Sequence, residues 1–466
     1  MYIIAASGSQ PQLRPYQIEG VKFLVKYKRA ILADEMGLGK TRQVLTTIEE
    51  LDLLGGRILL VCNGAARYVW REEIKKWGLN LPFHLVAGQK HRRCKIWKSQ
   101  EAGMFACTCG GFRQDITDMP KHWDLIIADE AHNLHNRKTK NFKSFSTLRS
   151  TCLFLITGSP IRKGTQNLWT LLCLVDPKAF ASYWRFIHSF CEIEQGFFGM
   201  EIVGSKNTKT LKRLLETRLI RRMKRNVAPE IPEKSRYALP VVLEPSSSQA
   251  KAYTALAEEM LAELPLEDDS SRSELVVAPT VLAKLTRLRQ LLVTPKLFNP
   301  ELEVGAGFKA ILEHMQDGGL EPHIVLFTPF AKALSHFRQA LQAEGHKSIV
   351  ELKGGMSIEE LSTTLETFKR ERGIALCSIK FAQSFDLDSA SLAYFLGCEW
   401  DYMDNIQAED RLQRLTTRNP VSIYYVKHLG TVEEDVLEAL RTKRLNIASV
   451  FRNPDQLRRI LRRKVI

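Results

Sequence analysis

Short apolar runs separated by amphipathic stretches recur along the chain and define its elements. In the first half the runs cover 30–32, 57–62, 123–128 and 152–156. Continuous runs of this length suit parallel strands covered on both faces. Between them, Ile18, Val21, Leu24 and Val25 recur at helical spacing, as do Val44, Leu45, Ile48 and Leu51, and then Trp70, Ile74 and Trp77. Each set predicts a helix with one buried side. Strands alternating with helices predict a doubly wound α/β sheet with its polar residues gathered at the strands' carboxyl ends. A second series of runs at 323–327, 374–377, 392–396 and 421–426 repeats that architecture.

The stretch 208–227 reads as helical and basic, and Pro229 and Pro232 follow it. Proline suits neither a helix interior nor a central strand, so the domain junction is placed there. The expected organisation is a first domain over 1–228, a junction and helical insertion over 229–300, and a second domain over 301–466 that ends in a basic helix. Within the insertion, 267–271 reads as an exposed loop.

Composition narrows the partners. A chain of 466 residues with 44% apolar and 26% charged residues is ordinary for a globular protein with two or three cores. Its net charge of +15 is not ordinary and favours a polyanion, nucleic acid being the usual one, with a merely solvated basic surface as the alternative. No apolar run is long enough to cross a bilayer, and the first residues lack a basic signal region, so the protein is expected to stay where it is made, without membrane contact. Nine cysteines scattered through strands and helices fit reduced thiols. His91, Cys94, Cys107 and Cys109 could offer soft metal ligands, but Cys-x-Cys is tighter than the usual zinc spacing, and a core role is the preferred reading.

Three clusters carry chemistry. Asp34-Glu35-Met36-Gly37-Leu38-Gly39-Lys40-Thr41 lies between a strand and a helix, as a phosphate loop does. Its glycines let consecutive N–H groups face an anion at a helix N-terminus. Lys40 is placed to reach the β- and γ-phosphates and Thr41 to ligate Mg²⁺. Asp34 occupies the first glycine position of the general pattern, and a fortuitous strand-to-helix turn is the alternative. Asp129 and Glu130 end the run 123–128, where Asp129 could hold Mg²⁺ and Glu130 activate a water. Helix capping is the alternative for this pair. Arg411 and Arg414, three residues apart in what reads as a helix over 407–414, would share a face and could stabilise charge on a γ-phosphate, a solvated basic helix face being the commoner reading of such a pair alone.

Together these blocks, in this order, resemble a Swi/Snf-type ATPase of the superfamily-two (DEAH-box) helicases, and the resemblance covers nearly the whole chain. The stretch 13–17 resembles the adenine-recognising motif and makes Gln17 the adenine contact. The loop 34–41 reproduces the family's own form, with an acid at the first position. The stretch 157–160 is similar to the motif coupling nucleotide to nucleic acid, and 221–224 to the basic stretch closing the first domain. The stretches 352–357 and 407–414 resemble second-domain motifs. Departures occur at 378–387, where a glycine-rich motif is usual, at 415–417, and at 63–66.

The resemblance implies two tandem RecA-like domains that sandwich ATP and Mg²⁺. It also implies sequence-tolerant grip on a DNA backbone near Asn63, Gly64, Arg67, Thr157, Thr328, Gly354, Gly355, Ser357 and Lys380. The expected function is ATP-dependent translocation along, or remodelling of, duplex, forked or branched DNA, including branch migration, by a monomer. An ATP-switched binding module and an RNA helicase are the alternatives. The drift suggests a minimal bacterial or phage motor acting in the cytoplasm, or in the nucleus if the source is eukaryotic.

Overall fold

Alternate residues of the first-half strands face opposite sides of one sheet, and both sides are covered. Ile31, Leu59, Val61, Phe105, Ile126, Leu153 and Leu155 pack with Trp97, Phe112, Leu168 and Leu171 on one side. Ala30, Leu32, Ile58, Leu60, Ile127, Phe154 and Ile156 pack with Leu24, Val44, Ile48, Trp70 and Ile74 on the other. Each fully buried Leu, Ile or Phe contributes roughly 1.5–3 kcal/mol of transfer free energy, which is why these runs contain so few polar residues.

The computed structural model describes residues 12–99, 101–161, 164–196, 199–263, 279–319, 323–383, 385–442 and 454–463. The loop expected at 267–271 lies outside them. Two units divide at Pro229/Glu230. In the first, β1 (Arg29–Leu32), β2 (Arg57–Cys62), β3 (Phe83–Leu85), β4 (Gly103–Thr108), β5 (His122–Asp129), β6 (Arg149–Ile156) and β9 (Leu219–Ile220) form one sheet. The order is β3-β4-β2-β5-β6-β1-β9, and all pairings are parallel. A hairpin of β7 (Cys191–Gly196) and β8 (Gly199–Ser205) stands apart. Three helices, α1 (Pro15–Tyr27), α2 (Lys40–Glu50) and α3 (Ala66–Lys76), supply one covering layer.

In the second unit β10 (Lys234–Val241), β11 (Ile324–Thr328), β12 (Ile349–Leu352), β13 (Ile374–Ser378), β14 (Leu392–Phe395) and β15 (Val421–His428) are also all parallel, in the order β10-β15-β14-β11-β13-β12. Helices Ala306–Asp317 and Ala333–Ala343 cover one face, with Phe308 stacked on Phe337 at 4.6 Å. Both units thus have the parallel, helix-covered α/β sheet expected of RecA-like domains.

Two sequence readings need correction. The stretch 208–227 is not one helix: helix Thr208–Leu215 ends, β9 follows, and a short helix covers Lys224–Val227. Leu219 and Ile220 pair with Ile31 and Leu32, so an open sheet edge outweighs local helix preference. Strand β10 lies within the span read as a junction and helical insertion. It contains Pro240, which a sheet tolerates because β10 is an edge strand.

Candidate nucleotide site

The phosphate loop follows β1 at the carboxyl edge of the first sheet and opens into α2. Gly37 (φ 83°) and Gly39 (φ 69°) adopt left-handed backbone, which a side chain would oppose, and Gly39 immediately precedes α2. Beneath the loop, the Leu38 carbonyl accepts from Tyr16 Oη (3.1 Å), Gln17 Nε2 (3.3 Å) and Gln43 Nε2 (3.4 Å). The Gln17 side chain also accepts from Arg14 N at 3.0 Å, joining the start of α1 to the loop.

Asp34 is fully buried and its side chain turns inward. Its carboxylate accepts from Arg222 Nη2 (2.6 Å), Nε (2.9 Å) and N (3.1 Å), and from Gln43 Nε2 (3.0 Å). Glu35 is likewise engaged: its N donates to Arg222 O and its Oε2 accepts from Lys224 N at 2.6 Å. The first two loop residues therefore hold the basic stretch 221–224. Met36 is also internal, and a Cβ on Gly158 would lie 2.7 Å from Met36 Cγ, so that glycine lets the 157–160 turn pack on the loop.

Lys40 Nζ donates to the carbonyls of Asp34 (2.9 Å) and Glu35 (3.3 Å). Asp129 ends β5, separated from β1 by β6 alone, so the two strand ends stand roughly 10 Å apart. Burial, then the Glu130 carboxylate, pushes the Asp129 carboxyl above its ordinary value, against Trp70 and the Lys40 ammonium, which lower it. Trp70 Nε1 donates to Asp129 Oδ2 at 2.9 Å and Glu130 N to Oδ1 at 3.0 Å. Glu130 itself has φ 52°, an uncommon conformation for a residue with a side chain, and its Oε2 lies 3.0 Å from His132 Nδ1. The structure thus gathers Lys40, Thr41, Asp129 and Glu130 along one sheet edge.

The residues expected to grip nucleic acid fall into two groups. Gly64, Gly354, Gly355, Ser357 and Lys380 are exposed, with Asn63 and Arg67 half-buried, all following the carboxyl ends of β2, β12 or β13. Arg67 Nε donates to Gly64 O, Ser357 caps the helix Ile358–Glu371, and Lys380 Nζ lies 3.2 Å from Glu399. Thr157 and Thr328 are fully buried, a departure from the sequence expectation. Their hydroxyls accept from Ser159 N and Phe330 N and shape strand-end turns instead of facing the surface.

The arginine pair also needs correction. Helix Tyr402–Glu409 ends before Arg411, so helical spacing does not align the two side chains. Asp386 aligns them instead: its Oδ1 lies 2.5 Å from Arg414 Nη2 and 3.7 Å from Arg411 Nη1, and Arg411 also donates to Gln383 O. Partial desolvation raises the Asp386 carboxyl, whose side chain is 46% exposed, but Arg414 and then Arg411 outweigh it and hold the group below its ordinary value. The stretch departing from the glycine-rich pattern therefore supplies the anchor. Just upstream, buried Glu409 accepts from Arg236 Nε (2.7 Å) and Tyr425 Oη (2.6 Å) and lies 2.9 Å from Lys234 Nζ.

Sequence reading missed Trp70, Gln43 and Asp386. Trp70 carries only the helical spacing it shares with Ile74, which marks it as core. Nothing local signals the other two. All nine cysteines are free, and among the described residues no group of three or more His, Cys, Asp or Glu is arranged to hold a metal. No helix among them is long and apolar enough to cross a membrane.

Comparison with known proteins supplies the family. Residues 16–297 match the SNF2-related domain and residues 308–416 the helicase conserved C-terminal domain. Chromodomain-helicase-DNA-binding protein 1-like of Mus musculus is 27% identical over 465 residues, covering 93% of this chain and 49% of that protein. SWI/SNF-related matrix-associated actin-dependent regulator of chromatin subfamily A-like protein 1 of Xenopus tropicalis is 27% identical over 450 residues, covering 92% and 44%. The chain spans about half the length of the curated relatives it matches. The Sulfolobus solfataricus SWI2/SNF2 ATPase core in complex with dsDNA aligns over 98% of this chain and 96% of that one, with 23% identity and a TM-score of 0.47. Because the SNF2-related domain spans more than half of its residues, with a helicase C-terminal domain following, the chain belongs to the SNF2-related family of superfamily-two helicases.

Proposed function

We propose that this chain is a DNA-dependent ATPase that uses ATP hydrolysis to translocate along or remodel DNA. The observation that carries the reading is the placement of Lys40, at the start of the helix that follows β1, and the Asp129–Glu130 pair, at the end of β5 two strands away, along the same sheet edge beside the phosphate loop, within a chain of SNF2-related sequence.

The donor set suits Mg²⁺. Thr41 and Asp129 offer hard oxygen ligands, and a cation there would offset the burial and the adjacent Glu130 charge that raise the Asp129 carboxyl. Thr41 and Asp129 would hold the ion, which supplies charge neutralisation on the phosphate oxygens. Lys40 would leave the Asp34 and Glu35 carbonyls for the β- and γ-phosphates, and loop N–H groups from Met36 to Thr41 would cradle the same oxygens. Gln17 would orient the adenine. Glu130 would accept a proton from the attacking water as the γ-phosphoryl group leaves ADP. Arg411 and Arg414, pre-aligned by Asp386, would stabilise the charge that develops on the γ-phosphate.

Backbone gripping by Asn63, Gly64, Arg67, Gly354, Gly355, Ser357 and Lys380 would be sequence-tolerant and strongly salt-dependent. Thr157 and Thr328 would shape the separate turns at the ends of β6 and β11. The chain would act as a monomer, in whichever compartment holds its DNA: the cytoplasm of a bacterium or phage-infected cell, or a eukaryotic nucleus. Titrating ATP turnover with duplex, single-stranded, forked and four-way DNA, and with RNA, tests the reading. Stimulation by duplex or branched DNA supports it. Stimulation by RNA alone, or nucleotide-dependent DNA binding without turnover, would replace it with the helicase or switch alternative.

A further inference from the structure

Helix α3 starts at Ala66, directly after the turn that follows β2. One turn into it, Trp70 is fully buried, yet its indole N–H does not bond within its own helix: it crosses to Asp129 Oδ2 at 2.9 Å. The backbone N–H of Glu130 binds the other oxygen at 3.0 Å. With one donor on each oxygen, the plane of the carboxylate is fixed. A buried indole needs some acceptor, and Trp123 satisfies that need with the Pro120 carbonyl, away from any site. Trp77, which follows α3 directly, uses Glu73 Oε2 at 2.8 Å. The acceptor of Trp70 is instead the carboxylate assigned to the metal.

We propose that Trp70 is a positioning residue that ties the nucleic-acid-facing turn at 63–67 to Asp129, so that DNA on that turn improves the metal site. This rests on the function proposed above. Arg67 and Trp70 are three residues apart on α3 and so lie on adjoining sides of one helical turn. Arg67 Nε also donates to Gly64 O, which holds the exposed turn against the helix start. A shift of the turn is therefore transmitted along a rigid helix, whose Trp70 and Ile74 are packed in the core, to the indole bond.

Trp70→Phe keeps an aromatic ring and removes the donor. Trp77→Phe is the control, since it removes an indole hydrogen bond at the end of the same helix without reaching Asp129. In Trp70→Phe the Mg²⁺ concentration for half-maximal binding of a fluorescent ATP analogue should rise roughly 10-fold or more, and the stimulation of turnover by duplex DNA should shrink by a similar factor. Trp77→Phe should match wild type in both. Wild-type values in Trp70→Phe would overturn the proposal while leaving the ATPase reading intact. Absence of DNA-stimulated turnover in the wild type would instead overturn that reading. A measurement without substitution decides the matter even if Trp70→Phe does not fold. ATPγS with Mg²⁺ should slow amide exchange across 63–70 in the wild type relative to ATPγS with EDTA, and equal exchange would overturn the link.

Discussion

Asp34 and Arg222 lie 188 positions apart in the chain and form a buried pair beneath the phosphate loop, with Nη2 2.6 Å from Oδ2 and Nε 2.9 Å from Oδ1. This contact explains why an acid stands where the general phosphate-loop pattern has glycine. Arg222 is only 10% exposed, so its charge needs a local anion. Asp34→Gly, although it restores the general pattern, should therefore destabilise the first unit by about 3 kcal/mol, because it leaves the guanidinium only the exposed Glu19 carboxylate, at 3.8 Å, as an anion. Chemical denaturation measures the loss, and an unchanged midpoint would contradict the assignment.

The same cluster leaves no room for a side chain at Gly20. A Cβ there would clash with Gln43 Oε1 and lie 2.7 Å from Arg222 Nη2. Gly20→Ala should break the Gln43–Arg222 hydrogen bond (2.9 Å in the native chain) and cost about 1–3 kcal/mol, despite alanine's better helix propensity. A melting temperature at or above that of the wild type would show that the cluster can yield.

Glu409 carries a pH dependence whose sign follows from its partners. Burial pushes its carboxyl up, but Lys234 and Arg236 outweigh burial and hold it below the ordinary glutamate value. A depressed folded-state value means that the stabilisation is complete above the unfolded value of about 4.3 and is lost as the pH falls through the folded value. The second unit should therefore lose stability below about pH 4, and Glu409→Gln should flatten that limb while lowering stability at neutral pH. An acid limb identical in the two proteins would remove Glu409 from this role.

Arg411→Ala should retain ATP binding and lose hydrolysis by about 10³-fold or more. Because Asp386 aligns both arginines, Asp386→Ala should also slow turnover, by less, without weakening nucleotide binding. Normal turnover in Arg411→Ala would exclude its role in stabilising γ-phosphate charge, and normal turnover in Asp386→Ala would show that the pair needs no anchor.

Legibility in the sequence followed the range of the interactions. The strands at 30–32, 57–62, 123–128 and 152–156 were readable because burial on two faces demands unbroken apolar runs. The placement of Lys40, Asp129 and Glu130 along one sheet edge was readable because strand-end sequence patterns are local. Strand β9 was not, because two residues carry little signal and only the open edge beside Ile31 and Leu32 makes them a strand. Strand β10 was hidden by Pro240 and by its exposed edge position. The role of Asp386 was hidden because its partners lie 28 residues and 25 residues downstream, as the numbering of Arg414 and Arg411 shows, in a turn that reads as helix. Thr157 and Thr328 were placed at the right strand ends, but burial is a property of the packed turn and no motif reports it.

The central claim is that ATP turnover at Lys40, Asp129 and Glu130 is driven by DNA. The most direct measurement is the rate of phosphate release with and without saturating duplex DNA, in the wild type and in Lys40→Ala. The account predicts clear stimulation in the wild type and loss of turnover in the variant under both conditions. Turnover that survives Lys40→Ala, or that ignores DNA in the wild type, would contradict it.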